Sequence, residues 1–522
     1  MDANSHIAPY FAKSITPVFG LNHLGLRNAA EDLFTTLLPG LNGVTQRIRY
    51  YSFYCWITGE FLKLYHTEEE RTDDAYRLFI RKSEILLALI QAERDRHISG
   101  IPGITFALSE LAKDTDTFDL LRFVYRPEFE RKTKETYWAN PGGILRQYYS
   151  ASLKDIALLF PLQKFTDISL PTQKSDDLPE ETILGEDLGA AFRESIGDEM
   201  ASLFLSYVQR SSVPRNELDK MTNAFIMKGF GNIGKEREML IDLLNQKDFP
   251  ANENDDRFLR KDTIRHFLLY CMNERKSGQR DSEQFPTVLY RKVLAGELTD
   301  DCSLGWYAYH INDRWQFHSS EVFFCLLKLL EDRAGWVSIE DISDQLSSGM
   351  SNTISSKEGA TLGDVVGLID AGELDIIDVK SPPEQAAQAM VSLLRLFCEN
   401  RRHPEIIKAY QEAFRGVRRN DFFVFMDELE KQLDMPFMEF LKDYIIRKII
   451  YRHHTVSLLK YSATHVTSNK FLLEDGYLKF LEQTEYTATA PRIDSLIEYL
   501  TDLELLKNMA PTPDAIQRYE LA

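Results

Sequence analysis

Apolar residues recur at three- and four-residue steps along most of the chain, a spacing that predicts a mainly α fold. In residues 28–38, NAAEDLFTTLL, the side chains Leu33, Phe34, Leu37 and Leu38 fall on one helical face. Asn28 and Glu31 have the spacing of a capping box, and Pro39-Gly40 stops the helix. Between about 44 and 65 one stripe holds Ile48, Tyr51, Cys55, Thr58, Leu62 and Tyr65. A second holds Tyr50, Tyr54, Ile57, Phe61 and Leu64, and a helix apolar nearly all round is a buried one. Further helices are expected over 73–95, after Leu120, across most of 187–272, over 286–330 and over 383–460, with a last one from Pro491 to about Leu506.

Three stretches break this period. Residues 164–187 are polar, with Pro171 and Pro179, and read as a linker or surface loop; 247–262 are charged and Asn-rich, a second exposed connection. Residues 336–380 differ in kind: Ser338 and Asp341 cap a short helix with Ile339, Ile342 and Leu346, and a second helix runs from Thr361 to Asp370. The run AGELDIIDVK then has the look of a strand, so the segment resembles a winged-helix unit. Near the C-terminus FLLEDGYLKF (471–480) predicts a hairpin with Asp475-Gly476 at its two-residue turn. The expected fold is thus a multi-domain helical protein with an embedded winged-helix-like segment and a C-terminal β-hairpin. Its expected domains are 1–165, helical; 187–330, helical; 336–380, acidic and winged-helix-like; and 383–522, helical with the hairpin.

Length supports the division, because 522 residues exceed the roughly 250–300 at which single cores stop growing. The net charge of −19 argues against a protein that coats nucleic acid with its whole surface. Cys55, Cys271, Cys302, Cys325 and Cys398 are far apart and form no Cys-x-x-Cys pair, which fits a reducing compartment without a zinc knuckle. The opening MDANSHIAPYFAKS lacks a basic region followed by an apolar stretch, and no window reaches the ~20 apolar residues of a membrane span. The expectation is a cytoplasmic protein without a membrane partner.

Candidate chemistry is thin. Residues 229–236, GFGNIGKE, match most of a phosphate-binding loop, yet Glu236 stands where that loop needs Ser or Thr, and a helix rather than a strand precedes it. The reading is a glycine turn between helices. Asp378 and Lys380 have the Asp-x-Lys spacing of metal-dependent nucleases, with Asp364 or Asp370 as a possible upstream carboxylate, which makes a nuclease one alternative. Arg260…His266 and Arg447…His453 repeat the Arg-x5-His spacing of HEPN-type RNases, but 11 His make about two such hits expected by chance. No catalytic residue, metal ligand or cofactor is assigned.

Basic residues cluster late in the chain. Arg401, Arg402, Arg415, Arg418 and Arg419, then Arg447, Lys448 and Arg452, are the candidate contacts to a partner or to nucleic acid, and a nucleic-acid sensor built on helices 401–452 is a second alternative. Residues 336–380 hold nine acids (Glu340, Asp341, Asp344, Glu358, Asp364, Asp370, Glu373, Asp375 and Asp378) against Lys357 and Lys380. That unit would repel phosphates and suits a protein partner.

Two strings carry a resemblance: TQRIRYYSFYCW from residue 45, after LLPG, and YHINDRWQF from residue 309, followed by Glu321. They are similar to large bacterial proteins encoded beside anti-phage defence genes. With the acidic winged helix, the chain resembles accessory subunits of SMC-type ATPase complexes such as those of Lamassu-like defence systems. The resemblance implies a non-catalytic accessory or scaffold subunit whose SMC-like ATPase and nuclease effector are other chains, with DNA met through the complex.

Overall fold

The computed structural model describes residues 22–67, 69–124, 136–162, 165–174, 182–229, 234–246, 258–276, 278, 280–354, 359–374, 379–415, 421–465 and 467–521. Helices dominate, and the strands among the described residues are two to four residues long. In place of four consecutive segments there are two interleaved compact units: Met1–Phe34 with Leu289–Thr489, and Thr35–Val288 with Ala490–Ala522.

In the unit of Thr35–Val288 and Ala490–Ala522, the helix Arg49–Leu64 is buried along almost its whole length, as its double stripe predicts. Tyr50, Phe53, Tyr54 and Trp56 pack in an aromatic cluster with Tyr149, Phe192 and Phe204. Each such ring removed from water stabilises the fold by roughly 1.5–3 kcal/mol. The helix Gly185–Ile196 approaches closely at Gly189, where a Cβ would lie 2.9 Å from the backbone of Cys55 and Trp56, so only glycine fits. Thr72 caps the helix Asp73–Arg94 by accepting from the Ala75 amide. Within the stretch expected as a linker or surface loop, the described residues 165–174 include a strand: Ser169–Pro171 pairs antiparallel with Leu159–Pro161, and Thr172 accepts from the Gly185 amide. Local polarity hid a hairpin whose residues are satisfied by pairing.

The other unit is organised on the 31-residue helix Asp301–Glu331, against which Pro382–Arg401 packs. Asp300 caps the long helix. Residues 22–26 cross the helix Arg452–Thr464, with Arg452 Nε donating to the Leu24 carbonyl (2.6 Å) and Lys460 Nζ to that of Asn22 (2.7 Å). Gly25 (φ 66°) sits at this crossing, where a Cβ would come within 2.9 Å of Val456. The first helix starts at Arg27, so Asn28 is inside it; Asn22 accepts from the Arg27 amide instead.

The strands beside the winged-helix-like segment come from Trp336–Ser338 and the C-terminal hairpin. The hairpin forms as predicted, Phe471–Glu474 and Tyr477–Phe480, and Asp475 and Gly476 both have positive φ (47° and 81°), as a type I′ turn requires. Its second strand also pairs with Trp336–Ser338, giving a three-stranded sheet in the order first, third, second. The third strand therefore comes from far along the chain. Residues 375–378 of the expected strand lie outside the described residues. The helix Ile339–Ile354 follows the first strand, and Arg452–Thr464 leads into the hairpin, with the helices from Leu362–Asp370 to Phe437–Asp443 between them. Thr361 and Asp364 form a full capping box on Leu362–Asp370.

Candidate partner-binding surface

Register decides which side chains of the small sheet meet solvent. Ser338 lies opposite Tyr477 and Trp336 opposite Lys479, so Trp336 and Tyr477 are diagonal neighbours on one face. They are 43% and 48% exposed, while Phe471 and Leu478 face the core. The Ile339 amide donates to the Gly476 carbonyl (2.9 Å), which ties the hairpin turn to the start of the acidic helix Ile339–Ile354. Ser338 Oγ accepts from the Asp341 amide (3.0 Å), the cap expected from the sequence. Glu340, Asp341, Glu474 and Asp475 are all exposed around the aromatic pair. Lys442 bonds Asp344 (2.7 Å) and reaches Glu340 (3.5 Å), and these contacts hold its ammonium above its usual range. Lys479, opposite Trp336, is exposed on the same face, so the two rings have four carboxylates and one ammonium about them.

Among the described residues, the candidate basic side chains do not converge on one site. Arg401 and Arg402 both turn onto Asp370 (2.6 and 2.7 Å), and Arg401 also lies over the Phe397 ring. Partial burial works the other way, but bonds from Arg401 and Cys398 hold the Asp370 carboxyl below its usual range. Arg415 is exposed; Arg418 and Arg419 lie outside the described residues. Lys448 pairs with Glu428, and Arg447, 73% exposed on its side chain, with Asp443 (2.7 Å). Arg452 is a structural residue rather than a surface contact: besides its bond to Leu24 it lies over Trp315, and burial lowers its basicity.

The two upstream carboxylates of the nuclease alternative have other work in the fold. Asp364 serves the capping box and Asp370 takes the two arginines, Lys380 is exposed with its amide on Glu384, and Asp378 lies outside the described residues. One member of each Arg-x5-His pair, Arg260 and His453, is structural. Arg260 is buried and donates to the carbonyls of Leu243, Leu244 and Pro39. His453 is buried between the His23 carbonyl (3.1 Å) and the Lys470 amide, which donates to Nε2 (3.0 Å). Those partners fix a neutral ring, and burial pushes its pKa down to about 3.

Several buried polar groups escaped the sequence reading. Glu236, the residue that spoils the phosphate loop, is bound by Arg49 and by the hydroxyls of Ser52 and Ser195. Glu84 accepts from Tyr54, Tyr137 and the amides of Ile144 and Leu145; burial outweighs these four donors and raises its pKa to about 7. The string at 309–317 is a fastening row on the long helix. Tyr309 bonds Thr489, Asn312 the Phe422 amide, Asp313 the Thr489 amide, and Gln316 the Thr487 carbonyl. Glu321 holds Gln385 and Tyr486.

Two cavities lie in the unit of Thr35–Val288 and Ala490–Ala522. One, about 730 Å³, is floored by Trp56, Gly59, Leu62, Phe160 and Pro171. The other, about 250 Å³, holds Arg77, Arg146 and Lys154, but the two arginines close on Asp167. No helix of the described residues is long and apolar enough to cross a membrane. No family model matches the chain, and no curated protein and no solved structure matches it either.

Proposed function

We propose that this chain is a non-catalytic accessory or scaffold subunit of a bacterial anti-phage or anti-plasmid defence complex, acting in the cytoplasm, and that it binds an SMC-like ATPase, a nuclease effector, or both. The observation that carries the interaction role is the exposed pair Trp336 and Tyr477 on a sheet rimmed by Glu340, Asp341, Glu474 and Asp475. Aromatic anchors supply most of the energy at protein interfaces, and charged rims set partner choice and approach. The defence setting comes from the resemblance of the strings at 45–56 and 309–317.

The test is co-purification of the tagged chain with the products of its neighbouring genes, wild type against W336A/Y477A. The expected result is an ATPase or nuclease subunit retained by the wild type and lost from the variant, with loss of phage or plasmid restriction. Magnesium-dependent DNA cleavage by the purified chain, abolished by D378A/K380A, would establish the nuclease alternative instead.

A further inference from the structure

Side chains alternate between the faces of a strand, so the register of the small sheet sorts its outward residues into two rows. Trp336, Lys479 and Leu472 make one row, and Ser338, Tyr477 and Glu474 make the other. The carboxylates gather at the Tyr477 end. Glu474 lies in that row, Asp475 is in the turn that follows it, and Glu340 and Asp341 open the helix after Ser338. Lys442 engages Asp344 and, at 3.5 Å, Glu340. Among the described residues no cation of the chain pairs with Asp341, Glu474 or Asp475, and all three are exposed. Uncompensated negative charge thus stands beside two half-exposed rings, and exposed aromatic surface with a polar rim marks an interaction site. Diagonal neighbours on a sheet are roughly 7–8 Å apart, a spacing that one long cationic side chain can bridge.

We propose that this face seats an arginine-bearing segment of a partner protein, with one guanidinium over the Trp336 and Tyr477 rings and further cations against Asp341, Glu474 and Asp475. The inference rests on the scaffold reading and deepens it, by naming the chemistry of the segment that the sheet takes. Ring faces attract a cation electrostatically, the indole most strongly. Arginine fits better than lysine, because its planar guanidinium stacks on rings and forks onto carboxylates. The three unpaired carboxylates attract an incoming cation without first giving up a partner in this chain. Lys479, in the neighbouring row, offsets one of these charges and leaves the face negative. The same charges turn away a phosphate backbone.

The experiment measures fluorescence anisotropy of labelled peptides with the full chain, the peptides differing only in bearing Arg, Lys or Gln at the same positions. The Arg peptide is expected to bind at least roughly tenfold tighter than the Gln peptide, and tighter than the Lys peptide, with affinity falling as salt rises. D341N/E474Q/D475N keeps the shape of each side chain, and Asn tolerates the positive φ of Asp475 (47°). That variant should weaken the Arg peptide at least roughly tenfold. W336A/Y477A should do the same, whereas W336F/Y477F, which keeps both rings, should retain most of the affinity. D114N/D116N/D187N removes equal charge from exposed residues of the other unit and should leave binding unchanged. Equal affinity for the Arg and Gln peptides or for the Arg and Lys peptides would overturn the inference. So would an equal loss in the D114N/D116N/D187N variant, or tighter binding of a short DNA duplex. Subunits that co-purify with D341N/E474Q/D475N as with the wild type, but not with W336A/Y477A, would overturn it and leave the scaffold reading standing. Arg-peptide binding by a chain that co-purifies with no subunit would do the reverse.

Discussion

Arg49 and Glu236 form a fully buried ion pair, with Nε 3.0 Å from Oε1 and Nη2 2.9 Å from Oε2. Ser52 and Ser195 donate to the same carboxylate, and Arg49 also reaches the Ile226 carbonyl. Removing one partner strands a buried charge, so E236Q or R49M should cost about 3–5 kcal/mol by denaturant unfolding. The double change R49M/E236L should cost less than either single one. K235A, at an exposed residue 3.7 Å from Glu194, should change stability by less than about 0.5 kcal/mol and leave any nucleotide binding of the complex unaltered. A K235A variant that lost nucleotide binding would show the glycine turn to be a phosphate site after all.

Buried histidines should make the protein acid-labile. Burial depresses the pKa values of His23, His310 and His453 to about 3, whereas an unfolded histidine titrates near ~6.5. As pH falls below 6.5 the unfolded chain takes up protons that the folded one refuses, so these groups remove stability. H310F keeps a ring against Tyr290 and deletes one such group. Thermal melts at pH 7 and 5 should show a drop at least about 3 °C smaller in the variant, the scale of one kcal/mol for units of this size. An equal drop would mean His310 is not held neutral.

Two carboxyls act with the opposite sign. Burial raises Glu84 and Asp502 to about 7, the latter against the pull of Arg47. As pH falls from 8 through 7 the folded state gains the proton first, so these groups add stability until the unfolded carboxyls protonate near ~4. E84Q should remove part of the gain seen between pH 8 and 6.5, a window above the histidine effect. Melts of E84Q that rise with acidification as steeply as the wild type would contradict the assignment.

Asp364 distinguishes a cap from a catalytic carboxylate. D364A should lower stability by about 1 kcal/mol through loss of its half of the capping box. Restriction by the whole operon should persist in that variant. Loss of restriction with unchanged stability would favour the metal-dependent nuclease.

The spacing of apolar residues by itself determined the helices, because period is a local property: Arg49–Leu64 and Asp73–Arg94 lie close to where their stripes put them. Asp475-Gly476 announced its turn for the same reason, since both residues tolerate positive φ. Pairing over distance left no such mark. That Trp336–Ser338 takes its partner from Tyr477–Phe480, and so turns Trp336 and Tyr477 outward together, depends on register between strands far apart in the chain. Charge was visible in the sequence, but its use was not. Arg401 and Arg447 look alike there, and only tertiary packing brings Asp370 against one while leaving the other at the surface. Glu236 looked like a defect in a phosphate loop until packing brought Arg49 and two serine hydroxyls to it, because burial makes a carboxylate costly unless partners from elsewhere in the chain converge on it.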